Sequence, residues 1–153
     1  MNDFEPRIVA FFCNWCTHVA ADAAGVARYV QKPNMRVIRV FCSGMVDPSY
    51  VVKAFVSGAD GVLIGGCHPG DCHYLAGNIK SLRRSFLLKK LLTELGIEEK
   101  RFHLEWIAAS EAPHYAKFVN DMVEEVRQLG PYVPRKIKSP QVVSETNLTK
   151  GVA

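Results

Sequence analysis

The chain has 153 residues, 48% of them apolar, and a formal charge of +4. That length fits one domain, and the apolar share is ample for a hydrophobic core. The modest charge, with no long basic run, speaks against a nucleic-acid binder, and no stretch approaches the ~20 apolar residues that a bilayer span requires.

In chain order, the N-terminal "MNDFEPRIVAFFCNW" starts acidic, and its apolar stretch is too short for a signal-peptide core with a cleavage site. A cytoplasmic protein is therefore expected. "RIVAFF" (7–12) is β-branched and aromatic and reads as a buried strand. The Ala-rich "AADAAGVARYV" (20–30) follows as a helix whose small residues permit close approach to a sheet. "RVIRVF" (36–41) is the second strand. In "DPSYVVKAFVSG" (47–58), Asp47 suits an N-cap, Pro48 the first helical position and Gly58 the stop. "GVLIGG" (61–66) is the third strand. A helical segment then runs from Tyr74 to Leu95, ended by Gly96, with Asp71 as its expected N-cap. "FHLEWIAA" (102–109) is the fourth strand. Tyr115, Phe118, Val119, Met122, Val123, Val126 and Leu129 form the apolar stripe of a last helix, stopped by Gly130. These elements assign residues 1–130 to one α/β domain. Residues 131–153 carry three prolines and no periodicity, and read as an extended tail.

Alternating β and α elements with continuous apolar strands imply a parallel sheet covered on both faces by helices. Right-handed crossovers make this a four-stranded, flavodoxin-like sandwich with strand order 2-1-3-4.

Five cysteines are present, an odd number, and a reducing cytosol disfavours a disulfide framework. On the expected fold, Cys13, Cys42 and Cys67 end the first three strands. Cys16 and Cys72 sit in the turns that follow two of them. All five gather at the carboxyl edge of the sheet, where open α/β folds place their ligands. Strand spacing of about 4.8 Å brings the three strand-end sulfurs within roughly 10 Å. Zinc accepts four thiolates but usually staples modules with little core, and this chain has a core. A thioredoxin-type dithiol needs only "CNWC" at 13–16 and leaves Cys42, Cys67 and Cys72 without a role. An iron–sulfur cluster uses four thiolates from several loops and accounts for most of the set.

The stretches "FFCNWC", "RVFCSGMVDP", "GADGVLIGGCHPGDCHY", the "GN" at 77–78 and "WIAASEAPHYAKFVNDM" resemble the delta subunit of methyl-viologen-reducing hydrogenase. The resemblance extends from residue 7 to about residue 132. In that family this iron–sulfur subunit links a nickel–iron hydrogenase, or a formate dehydrogenase, to heterodisulfide reductase in methanogens and their relatives. The resemblance implies a 2Fe–2S cluster that passes electrons to the flavin-bearing subunit of heterodisulfide reductase. Its motifs leave open which of the five cysteines is the spare one.

The remaining polar residues of these motifs read as structural. His68 and His73 flank the last two cysteines and are expected to bond to backbone, since four thiolates suffice without them. Gly65, Gly66 and Gly70 lack the Lys-Ser/Thr of a phosphate loop, and their N–H groups suit cluster sulfurs instead. Trp15 either shields the site or packs. His18, His103, His114 and Trp106 carry no signal beyond surface or core roles. No general acid–base pair and no nucleophile with an oriented base stand out, so a relay without catalysis of its own is expected.

The 74–95 segment has two offset apolar stripes. Leu75, Ile79, Leu82 and Phe86 form one, and Leu88, Leu91, Leu92 and Leu95 the other, with Lys80, Arg83, Arg84 and Lys90 between them. Either the helix breaks near Ser85, or it is continuous and its second stripe, from Leu88 to Leu95, docks on a partner.

Overall fold

The computed structural model describes residues 4–134. Four strands, β1 (Ile8–Cys13), β2 (Met35–Val40), β3 (Gly61–Gly66) and β4 (Phe102–Trp106), form one parallel sheet of order β2-β1-β3-β4. Four helices cross between or follow them: α1 (Thr17–Val26), α2 (Pro48–Val56), α3 (Gly77–Glu94) and α4 (Ala112–Leu129). This is the expected architecture and strand order.

Period-two alternation on the central strands separates two cores. Ile8, Ala10 and Phe12 of β1 and Leu63 of β3 face α1 and α4, in one cluster with Ala20, Ala24, Val119 and Val123. Phe11, Val62 and Ile64 face the other way, clustered with Val51 and Phe55 of α2 and Leu88 and Leu92 of α3. Gly65 is a glycine because a Cβ there would lie 2.4 Å from the Thr17 side chain at the start of α1.

The caps of α2 are as read: Asp47 accepts a hydrogen bond from the Ser49 N–H at 2.8 Å, and Pro48 opens the helix. Gly58, just past its end, has φ +94°.

Three expectations outside the apolar stripes of α3 need correction. The helix after β3 starts at Gly77 with Ala76 before it, so Asp71 is not its N-cap. Asp71 instead lies in the preceding turn, its N–H bonded to the His68 carbonyl at 3.0 Å. Next, β2 is not covered on both faces: it is an edge strand, with Val37 44% and Ile38 47% exposed. Tyr132, finally, was expected in the tail but packs on the domain. Its N–H donates to Asp60 Oδ1 at 3.0 Å, and its ring meets Phe55 edge-on with centroids 5.5 Å apart. Residues 135–153, the rest of the expected tail, lie outside the described part of the chain.

The helix α3 is continuous through Ser85, with no break. Its buried side is made of Gly77, Asn78, Ser81, Ser85, Leu88 and Leu92. Small residues line the first half because it presses on the loop after β2: a Cβ on Gly44 would meet the Gly77 carbonyl oxygen at 2.5 Å. Arg84 Nη1 seals that contact by donating to the Gly44 carbonyl at 2.7 Å. The consequence is an inverted helix, with Leu82, Phe86, Leu87 and Leu91 turned outward. Leu88 and Leu92, expected at a docking face, belong to the core instead.

Candidate metal centre

All five thiols are free and buried, and all lie at the carboxyl edge of the sheet. Cys13 is the last residue of β1, and Cys67 follows β3 directly. Cys16 precedes the first turn of α1. Cys42 stands two residues beyond β2, where its Sγ accepts the Gly44 N–H at 3.4 Å. Cys72 sits in the turn leading to α3, which is tightened by Leu75 in the left-handed region at φ 66°.

Within this edge the sulfurs form a triad and a pair. Cys13, Cys16 and Cys67 lie within 4.8 Å of one another, and the Cys13–Cys67 separation is 3.7 Å. The Cys42–Cys72 separation is 3.9 Å. The Phe41 carbonyl, one residue before Cys42, comes within 3.7 Å of Cys13 Sγ and ties the two groups together.

The pocket is shaped by glycine and fastened by asparagine. A Cβ on Gly77 would fall 2.2 Å from Cys42 Sγ and 3.2 Å from Cys72 Sγ. Asn78, fully buried, donates from Nδ2 to the carbonyls of Cys67 at 3.1 Å and His68 at 2.7 Å. It thereby locks the start of α3 onto the loop that carries Cys67.

Electrostatically the five thiols are not equivalent. Cys13 is lowered to about 5, first because the Cys16 thiol donates to it, with the Trp15 N–H, the Cys67 thiol and the Ser43 N–H adding to this against burial. Cys16 is raised, first by that same bond to Cys13 and then by burial. Burial pushes Cys67 up to about 11 and raises Cys42. At Cys72 burial is the largest single effect and acts upward, but the N–H groups of Asn78, Tyr74 and Gly77 together outweigh it and leave the thiol lowered. Five sulfurs in so dry a place cannot all ionise unless a cation balances their charge.

The flanking residues have other partners. His68 Nε2 lies 2.7 Å from Glu111 Oε2, and the same oxygen accepts the Ala108 N–H at 2.6 Å. The ring of His73 stacks on Trp15 with centroids 3.8 Å apart, and Trp15 Nε1 donates to the Tyr74 hydroxyl at 3.2 Å. Trp15, 44% exposed, thus joins the turn of Cys16 to that of Cys72. The remaining histidines sit away from the thiols: His18 pairs with Asp22, His103 with Glu125 and His114 with Glu105. Asn78 and Glu111 stand in stretches that carry the resemblance, but their roles could not be read there, because the carbonyls Asn78 bonds lie 10 and 11 residues away and the His68 ring that meets Glu111 lies 43 away.

A family model for the methyl-viologen-reducing hydrogenase delta subunit matches residues 8–130. The chain belongs to this family. It is 54% identical over 129 residues to the iron–sulfur subunit of the F420-non-reducing hydrogenase vhc of Methanococcus voltae, covering 84% of this chain and 90% of that one. The corresponding iron–sulfur subunit of Archaeoglobus profundus is 54% identical over 130 residues, covering 85% and 95%. A third relative has a different shape. One subunit of the CoB–CoM heterodisulfide reductase of Methanosarcina acetivorans is 42% identical over 126 residues, which are 82% of this chain but 16% of that protein. In this long reductase subunit, the delta-type domain is one segment of a much larger polypeptide. Among the described residues no helix is long and apolar enough to cross a membrane.

Proposed function

We propose that this delta-subunit relative is an electron relay that carries a 2Fe–2S cluster and passes electrons from a hydrogenase, or a formate dehydrogenase, to the flavin-bearing subunit of heterodisulfide reductase. The observation that carries the reading is the pairing of its thiols. Two thiolates on one tetrahedral metal, at metal–sulfur distances of about 2.3 Å, sit roughly 3.8 Å apart. Cys13–Cys67 at 3.7 Å and Cys42–Cys72 at 3.9 Å each have that spacing, which suits one pair per iron. Cys16 is then the spare cysteine: it belongs to neither close pair, and its Sγ lies 3.7 Å from the Thr17 hydroxyl.

The cluster, when bound, supplies one-electron chemistry. The chain's own part is to hold four thiolates on rigid strand ends and a helix start, keep water out with the Trp15–His73 stack, and aim the N–H groups of Gly77 and Asn78 at Cys72. The relatives named as hydrogenase and heterodisulfide reductase subunits support partners of those two kinds.

Two other readings fit less well. Thiol–disulfide exchange at Cys13 and Cys16 needs an accessible sulfur, and these are 1% and 4% exposed. A single zinc wants four converging ligands, whereas three thiols converge within 4.8 Å and two stand as a separate pair.

Anaerobic cysteine-to-serine variants followed by visible absorption and electron paramagnetic resonance test the ligand set. Serine at 13, 42, 67 or 72 should abolish or shift the signal, while Cys16→Ser should keep it. Retention of an unaltered signal in Cys72→Ser, with loss in Cys16→Ser, would overturn the assignment.

A further inference from the structure

The outer side of α3 breaks the usual rule for a surface helix. Opposite its buried side it presents Leu82, Phe86, Leu87 and Leu91, which are 45%, 61%, 69% and 50% exposed. Lys80 and Leu87 are seven residues apart and Leu91 four further, so they share one line along the helix. At the head of that line Lys80 enters a groove of about 430 Å³ with Phe41, Met45, Tyr74 and Cys42. Phe41 and Met45 are 65% and 57% exposed there. An apolar strip thus runs from the thiol edge down the helix. Arg83 and Lys90 interrupt it with positive charge, Lys90 lying over the Phe86 ring at 4.8 Å. Arg84 is not part of this free charge, because it donates to the Gly44 carbonyl.

We infer that this face, from the Cys42 groove to Leu91, is where the chain docks on the long heterodisulfide reductase subunit. The inference rests on the relay reading above and adds the surface that reading lacks. Three observations select the occupant. The basic groups amid the apolar strip call for an acidic rim on whatever covers it. A second copy of the chain is a poor match, because a two-fold contact would set Lys80, Arg83 and Lys90 against themselves. The domain also recurs within long reductase subunits of two Methanosarcina species, where a matched segment of 126 residues is 16% of the polypeptide and so is joined covalently to the rest of that subunit. The groove end of the face is lined by Cys42, so the docked partner would sit against a proposed cluster ligand.

The test is binding of the intact, cluster-loaded chain to the purified long reductase subunit from the same source, read by interferometry at two salt concentrations. Phe86→Glu with Leu87→Glu should weaken binding by at least tenfold. Lys80→Glu with Arg83→Glu should slow association and remove most of its salt dependence. Val26→Glu on α1, at an 85% exposed position on another helix, should change neither. Equal binding by wild type and the Phe86/Leu87 variant would overturn the surface while leaving the relay reading intact. Failure of the wild type to bind the reductase subunit, with self-association or capture on anionic vesicles in its place, would overturn the occupant. Iron content and the visible spectrum of each preparation, measured before mixing, test the cluster separately from the docking.

Discussion

At Gly77 an added methyl group would sit 2.2 Å from Cys42 Sγ, closer than any relaxed contact, and the neighbour it meets is a proposed ligand. Gly77→Ala should therefore leave the far-ultraviolet spectrum of the chain unchanged but lower its bound iron by more than half. Retention of full iron would show that the sulfur can retreat without losing the site. Glu111 offers a different residue-scale check, through pH. The Ala108 N–H, and then His68, hold its carboxyl below the ordinary value of 4.5. A depressed carboxylate stabilises the fold above the unfolded-state pKa, and that stability is lost as pH falls through the folded-state value. The side chain is 38% exposed, so solvent screening limits the contribution to about 0.5–1 kcal/mol. Denaturant titrations should show Glu111→Gln less stable than wild type by that amount at pH 7, with the gap closing below pH 4.5. A gap that persists in acid would contradict the assignment. The cysteines themselves were legible, since strand ends follow from apolar runs. The division into a triad and a pair was not, because it depends on the turn of Leu75 and on the approach of Gly44 to Gly77, neither of which has a period or a motif.

The helix α3 is the element where pattern and packing part company. Its leucines suggest two buried stripes, but backbone crowding at the Cys42 loop reserves the inner side of the first half for glycine, asparagine and serine. The cost is visible in Ser81 Oγ and Ser85 Oγ, which are buried without a hydrogen-bond partner among the described residues. Only the second half buries leucine. Leu88→Glu, at a position 3% exposed in the same core as Phe11 and Phe55, should cost at least about 3 kcal/mol and unfold much of the protein at 37 °C. Phe86→Glu, two residues earlier, should change stability by no more than about 0.5 kcal/mol. Thermal melts of the two variants decide the matter, and equal losses would mean that both sides of the helix are internal. The edge strand β2 misled for a related reason. "RVIRVF" carries Arg36 and Arg39 and the strand order places it at the edge, but nothing local reveals that Val37 and Ile38 are left half-uncovered.

Across the described part of the molecule, the thiols and the best-connected ion pair occupy opposite edges of the sheet. The carboxyl edge holds the five thiols. At the amino edge, Arg101, 1% exposed, donates to Glu98 Oε2 at 2.7 Å and to the Asp60 carbonyl at 3.0 Å. Asp60 in turn accepts the N–H groups of Arg7 and Tyr132. This clasp ties Tyr132, two residues past the Gly130 stop of α4, to the packed part of the chain. A chain ending at residue 130 should be about 1–3 kcal/mol less stable than one ending at 134, since a buried carboxylate loses a donor and Phe55 its aromatic neighbour. Equal melting temperatures would return the boundary to Gly130. The strand order and the gathering of the five cysteines at the carboxyl edge could be read from alternating apolar runs, because those obey local periodicity. The clasp could not, since it joins residues 41 and 72 positions apart. A 2Fe–2S cluster at the thiol edge is tested most directly by metal analysis of the anaerobically purified full chain. About two iron and two acid-labile sulfide per chain, with a brown colour that bleaches on reduction, are expected for two paired-thiolate irons. One zinc per chain, with neither iron nor sulfide, would contradict it.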